Sequence, residues 1–184
     1  MEEQAPANTT NPRWQRLLAA DRAYSARLRY AEKPGRLRQL AIVLAHSGDS
    51  WFWGAGLVVV WLVAGPAGKL LAMRLVLAIV GMAVLVTVIK QLFRRRRPEG
   101  QWGAIYRKTD PHSFPSGHAA RMAMLFVLAA ALGPAWFAAL LFVWAPLVAL
   151  ARVAMGVHYL SDVIAGAALG LVGGGALAIV WLWR

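Results

Sequence analysis

The sequence predicts an all-α protein: an integral membrane helical bundle with about five transmembrane helices and an N-terminal amphipathic interfacial helix. Three observations carry that expectation. Of the 184 residues, 59% are hydrophobic and the mean hydropathy is +0.52, where a soluble domain is roughly 45–50% apolar. The apolar residues run in long unalternating blocks, a pattern that suits helices and excludes a β-barrel. The formal net charge is +12 with nine Trp, which suits basic ends and aromatic anchors at anionic lipid. A soluble nucleic-acid binder would set its basic face in a polar fold, so no nucleic-acid partner is expected. There is no Cys, hence no disulfide, no thiolate metal site and no compartment signal.

Met1 to Thr10 is polar and expected to fray. Asn11-Pro12 reads as a helix start, with Asn as cap and Pro at the first helical position. From there to about Tyr30 the pattern is amphipathic: Trp14, Leu17, Leu18, Tyr24 and Leu28 share a face flanked by Arg13, Arg16, Arg22, Arg27 and Arg29. Such a helix lies in the headgroup region with its Arg heads reaching phosphate, or packs as an ordinary surface helix. Lys33-Pro34-Gly35 breaks it, Arg36 to Ala45 is a second short amphipathic stretch, and His46 to Asp49 is a polar turn with His46 at the interface. No secretory signal peptide is expected in Met1 to Arg38, which has no apolar core before a cleavage site.

Five apolar segments follow. Trp51 to Ala64 is short for a span unless its helix begins earlier, since about 20 residues cross the hydrocarbon core. Leu70 to Ile89 is of ordinary length and ends at Lys90. Gln91 to Pro115 is one long polar loop, a kind that in compact proteins is functional or disordered. Ala119 to Leu132, Ala135 to Leu150 with Pro146 as a kink, and Val163 to Trp183 complete the set. The last is rich in small residues (Gly166, Gly170, Gly173, Gly174, Gly175), which allow close helix approach. There is no internal repeat. Tracing alternate crossings places the N-terminus, the 91–115 loop and the Gly156 to Ser161 break on one side and the C-terminus on the other.

Three polar clusters therefore meet at one membrane face. Lys90 and Arg97 are seven apart, on one helical face if the helix continues, and Pro98 marks its end. Two such cations read either as a topology signal or as an oxyanion clamp, Arg adding a bidentate fork. Not all of Arg94, Arg95 and Arg96 are expected to take part. Pro115-Ser116-Gly117-His118 opens the third span; it reads as a Ser-capped helix with an interfacial His, or as an anion site on free backbone N–H groups with His118 as an acid. Arg152, His158 and Asp162 form the third cluster. They make a structural Arg–Asp salt bridge, or a pair in which Asp162, four residues on, holds one imidazole N–H and leaves the other nitrogen nucleophilic. Jointly, the inventory fits phosphoryl transfer through a phosphohistidine.

These motifs resemble the three signatures of the type 2 phosphatidic acid phosphatase superfamily, which includes membrane lipid phosphatases, glucose-6-phosphatase and vanadium haloperoxidases. Lys90 through Arg97-Pro98 matches the first, Pro115 to His118 the second, and Arg152, His158 and Asp162 the third, with Ala151 where the family has Ser. The resemblance covers Lys90 to Asp162. It implies His158 as nucleophile, Asp162 as its orienting group, His118 as the acid that protonates the leaving alkoxide and then activates water, and Lys90, Arg97, Ser116, Gly117 and Arg152 as holders of the phosphate oxygens. It implies no metal and no cofactor. Asp110 and His112 are given no direct role. Residues 1–38 then form an interfacial segment and 39–184 a transmembrane phosphatase domain. The implied substrate is a phospholipid or polyprenyl phosphate: polyprenyl phosphate or diphosphate, phosphatidylglycerophosphate, phosphatidic acid or a phosphorylated lipid-linked sugar. Alternatives are a vanadate-dependent haloperoxidase-like enzyme and a non-catalytic lipid-binding or transport protein.

The N-terminal segment carries Arg13, Arg16, Arg22, Arg27, Arg29, Lys33, Arg36 and Arg38; the opposite face has Lys69, Arg74 and Arg184. The positive-inside bias places the N-terminus and the site on the cytoplasmic face of a bacterial inner membrane. The sequence gives no oligomeric state.

Overall fold

The computed structural model of the chain describes residues 12–183. The Asn11 cap, the 1–10 stretch and Arg184 lie outside the described residues. The described residues form helices α1 (Pro12–Arg27), α2 (Arg36–Ser47), α3 (Ser50–Val63), α4 (Pro66–Phe93), α5 (Gln101–Thr109), α6 (Gly117–Leu132), α7 (Ala135–Ala154) and α8 (Leu160–Leu182). Three of them, α4, α7 and α8, are long and apolar enough to cross a membrane, and α3 and α6 are shorter apolar helices. The protein is an integral membrane helical bundle.

The first crossing is made in two pieces. At 12 and 14 residues, α2 and α3 each reach only about 18–21 Å, short of a hydrocarbon core ~30 Å thick. α2 packs along α7, and α3 continues from it along α4. Ala31, just before α2, donates its N–H to the Ala154 carbonyl at 3.1 Å. Ser47 takes the Trp144 indole N–H on its hydroxyl at 2.8 Å. Beyond the break, the Trp53 ring lies 6.2 Å from Phe137. The 36–45 stretch is thus the first half of the span expected at Trp51 to Ala64, and the break at Gly48-Asp49 falls inside the bundle.

The centre of the bundle is α6, which packs on α4, α7 and α8. Met122, Met124, Leu125 and Leu128 on it are fully buried with Leu141 and Val148 of α7. Its seam with α8 is set by glycine at every fourth position. A Cβ on Gly166 would strike the Ser116 carbonyl oxygen, one on Gly170 the Ala120 carbonyl oxygen, and one on Gly174 the backbone of Met124. Gly175 faces open space. At the end away from the polar clusters, Lys69 lies over Trp61 and Arg74 over Trp181, as interfacial anchors should.

Two expectations need correction. The 91–115 segment is not all loop, because α5 lies within it. Nor does α4 continue to Arg97. Phe93 is its last residue and Arg94 takes a left-handed conformation at φ 46°. The chain doubles back: Arg96 bridges antiparallel to His112, and Ser113 donates its N–H to the Arg95 carbonyl at 2.8 Å. This fold-back, rather than helical periodicity, brings Arg97 to Lys90.

The amphipathic α1 turns a polar edge to the protein. Its Ser25 is buried and accepts the Leu160 N–H, while Asp21 accepts the Ser161 N–H and hydroxyl at the start of α8. Trp14, Leu17 and Tyr24 face outward, free to enter a lipid headgroup layer.

Candidate active site

Lys90 lies in the last turn of α4, Arg97 in the fold-back, Gly117 and His118 at the start of α6, Arg152 in the last turn of α7 and His158 in the turn before α8. All six line one cavity of about 170 Å³, together with Tyr106, Asp110 and Arg121. That volume is several times the ~10–15 Å³ a single water needs. The side chains of Arg97, Arg152 and His158 are almost wholly buried, at 3%, 1% and 2% exposure.

The turn between α7 and α8 sets the third cluster. Gly156 takes φ 65°, which a side chain would resist. The chain then returns on itself, so the N–H groups of Val157 and His158 both donate to the Arg152 carbonyl, at 3.2 and 3.3 Å. His158 Nε2 lies 3.2 Å from an Arg97 guanidinium nitrogen, which also donates to the Val157 carbonyl at 2.9 Å. Burial, followed by the charges of Arg97, Arg152 and Lys90, holds the His158 imidazole well below its ordinary pKa. It is neutral near pH 7, and the contact with Arg97 makes Nε2 the acceptor, with the lone pair.

Asp162 is fully buried at the third position of α8. Its carboxylate accepts the Tyr159 N–H at 2.9 Å and an Arg95 guanidinium N–H at 2.7 Å. His158 Nδ1 lies 3.6 Å from Asp162 Oδ2, an ion-pair distance longer than a hydrogen bond. Arg95 in turn pairs with Asp21 at 2.6 Å and stacks over Tyr159 at 4.0 Å. It is one of the three arginines whose part the sequence left unassigned.

The remaining predicted residues divide. Gly117 reaches the cavity. Ser116 is buried behind it, where its hydroxyl accepts the Ala119 N–H at 3.5 Å as a helix cap. Ala151, where a Ser was expected, packs with Ala41, Ala45 and Met155 in an apolar cluster.

Asp110 was named from sequence and set aside, and three further groups at the site were not singled out. Asp110 bridges the clamp: its carboxylate pairs with Lys90 and, at 2.7 Å, with Arg97. Burial pushes that carboxyl up, but the Lys90 hydrogen bond and the Lys90 and Arg97 charges hold it below the usual carboxylate range. Tyr106 of α5 covers the cavity, with Arg152 4.7 Å and Arg97 5.3 Å from its ring and its hydroxyl 3.1 Å from Arg152. Asp49 meets His118, and Arg121 reaches the Gly48 carbonyl. Tyr106 and Asp110 gave no signal beyond lying in a long loop, and Asp49 none beyond a polar turn. Arg152 Nε is buried with no protein partner, which leaves a donor for a bound anion. Among the described residues no three His, Asp or Glu side chains are placed to hold a metal ion.

The sequence itself matches a known family. The model of the PAP2 superfamily matches residues 71–184. The chain belongs to that superfamily. It is 41% identical over 111 residues to the decaprenylphosphoryl-5-phosphoribose phosphatases of two strains of Mycobacterium tuberculosis, an alignment covering 60% of this chain and 55% of the relative. It thus spans about half the length of these curated relatives. Two crystal structures share its fold. Aquifex aeolicus LpxE superposes with a TM-score of 0.66 at 26% identity, covering 91% of this chain and 94% of that one. The transmembrane PAP2-type phosphatidylglycerolphosphate phosphatase of Bacillus subtilis gives 0.70 at 25% identity, covering 96% and 90%.

Proposed function

We propose that this PAP2 protein is a membrane-embedded lipid phosphatase that hydrolyses a phosphate monoester or diphosphate of a lipid through a phosphohistidine. The observation that supports it most is the single cavity lined by Lys90, Arg97, Arg152, His118 and a neutral His158, whose Nε2 lies 3.2 Å from the Arg97 guanidinium. His158 Nε2 attacks phosphorus and the bond from phosphorus to the lipid oxygen breaks. His118 gives that oxygen its proton. Water then attacks the phosphohistidine, His118 takes the water's proton, inorganic phosphate leaves and His158 is restored. The three cations stabilise charge on the equatorial oxygens, and the Gly117 backbone at the start of α6 adds an anion-binding N–H. Asp162, fixed by Arg95 and Tyr159, keeps a negative charge on the Nδ1 side of His158. Ser116 acts through the helix start.

The substrate is drawn from polyprenyl phosphates and diphosphates, phosphatidylglycerophosphate, phosphatidic acid and phosphorylated lipid-linked sugars. The mycobacterial relatives' name favours the last group. The excess of Arg and Lys before α3 over that near Lys69 and Arg74 favours a cytoplasmic site in a bacterial inner membrane.

The test is phosphate release by detergent-solubilised protein across these lipids, with His158→Ala as control. Release from one lipid, lost in the variant, is expected. Halide oxidation with added vanadate and hydrogen peroxide, or lipid binding without any phosphate release, would overturn the reading.

A further inference from the structure

We infer that Asp49, at the break between α2 and α3, is the positioning residue of His118, fixing its Nε2 so that Nδ1 faces the phosphate cavity. The inference rests on the proposed phosphatase reading. His118 Nε2 lies 2.6 Å from Asp49 Oδ1. Asp49 occupies the N-cap position of α3, yet its side chain makes no capping hydrogen bond. The ordinary reason for an Asp at this position, acceptance of a first-turn N–H, is therefore absent. Its other oxygen takes the Trp51 indole N–H at 3.3 Å. The break itself is pinned to α6, because Arg121 donates to the Gly48 carbonyl. A Cβ on Gly48 would come within 2.6 Å of Val148 and 3.1 Å of the His118 ring, so the turn is seated directly against the imidazole.

The charged groups around Asp49 are His118, His46 and Arg152, and Arg121 holds the adjacent carbonyl. A carboxylate on Nε2–H holds the ring in one orientation, as in a His–Asp pair. In this protein a proton donor on α6 is thus held by a carboxylate from a different crossing, and the discontinuity in that crossing is what delivers it.

Leaving-group dependence tests this. An alkyl lipid phosphate needs a proton on its leaving oxygen, whereas a long-chain nitrophenyl phosphate expels a stable phenolate without one. Asp49→Asn and Asp49→Ser should each lower kcat/KM on the alkyl ester about 10²-fold, the low end for general-acid catalysis, and on the nitrophenyl ester by less than about threefold on the same basis. Asp49→Glu, which keeps the charge, should restore part of the loss. Equal losses on both esters, or none on either, would overturn the positioning role while leaving the phosphatase reading intact. Failure of the wild-type protein to hydrolyse either ester would overturn that reading and this inference with it.

Discussion

The seam between α6 and α8 and the fold-back around α5 both deliver groups to the same cavity, but they are built differently. The seam is apolar contact. Gly166, Gly170 and Gly174 bring the two backbones together, and that approach sets His118 at one helix start across from His158 and Asp162 at the other. The fold-back is held by ions: Asp110 between Lys90 and Arg97, and Arg95 between Asp21 and Asp162. Close packing fixes position regardless of what fills the cavity. An ion pair that uses the clamp's own cations competes with any phosphate that enters. The proposed reacting groups thus sit on the rigid side and part of the proposed anion grip on the exchangeable side.

The sharpest way to break this comparison is to remove the nucleophile from the rigid side. His158→Ala should lower phosphate release by about 10⁴-fold or more, as loss of a covalent nucleophile does, with little change in thermal unfolding. A residual rate within tenfold of wild type would show that the seam positions something other than the reacting atom.

The seam itself comes next. Gly170→Leu forces a side chain into the Ala120 carbonyl and should destabilise by roughly 1–3 kcal/mol, the usual range for overpacking. Gly175→Leu, which meets nothing within contact distance, should leave the unfolding midpoint unchanged. Equal midpoints for the two variants in detergent would mean that close backbone approach does not hold the halves together.

How much of this was readable follows the same division. The seam is written locally: small residues four apart in an apolar run state a close helix contact before any coordinates are seen. The joint spacing likewise singled out Lys90, Arg97, Gly117, His118, Arg152 and His158, which line one cavity. The ties of the fold-back were not readable, because Asp110, Arg95 and Asp21 pair over 13 to 74 residues and no periodicity marks such partners. The run Arg94 to Arg97 looked uniform, yet the left-handed turn at Arg94 sends its members to different partners. For the same reason, helical spacing was the wrong account of how Arg97 meets Lys90. Asp49 was hidden by a broken first crossing whose halves are each too short to read as a span.

A pH profile separates the two regions by charge. His158 must be neutral to attack, and burial with the surrounding cations depresses its pKa. Activity governed by this group should therefore stay level as pH falls through about 6.5, the ordinary His value, and decline only below it. Arg97→Gln removes one of the cations, so protonation becomes easier, the pKa rises and the acid limb should move to higher pH. A limb that stays in place would show that the fold-back does not tune the nucleophile.

The smallest effect is expected from the exchangeable pair. In Asp110→Asn the clamp loses its internal carboxylate, while the amide can still accept from Lys90 and Arg97. If phosphate must displace that carboxylate, the variant should bind inorganic phosphate more tightly, by about three- to tenfold, in line with the ~1 kcal/mol of a partly exposed ion pair. Competitive inhibition by phosphate measures it directly. Weaker inhibition in the variant would mean that Asp110 arranges the two cations for the anion and is retained beside it, which would place the fold-back with the seam as fixed architecture.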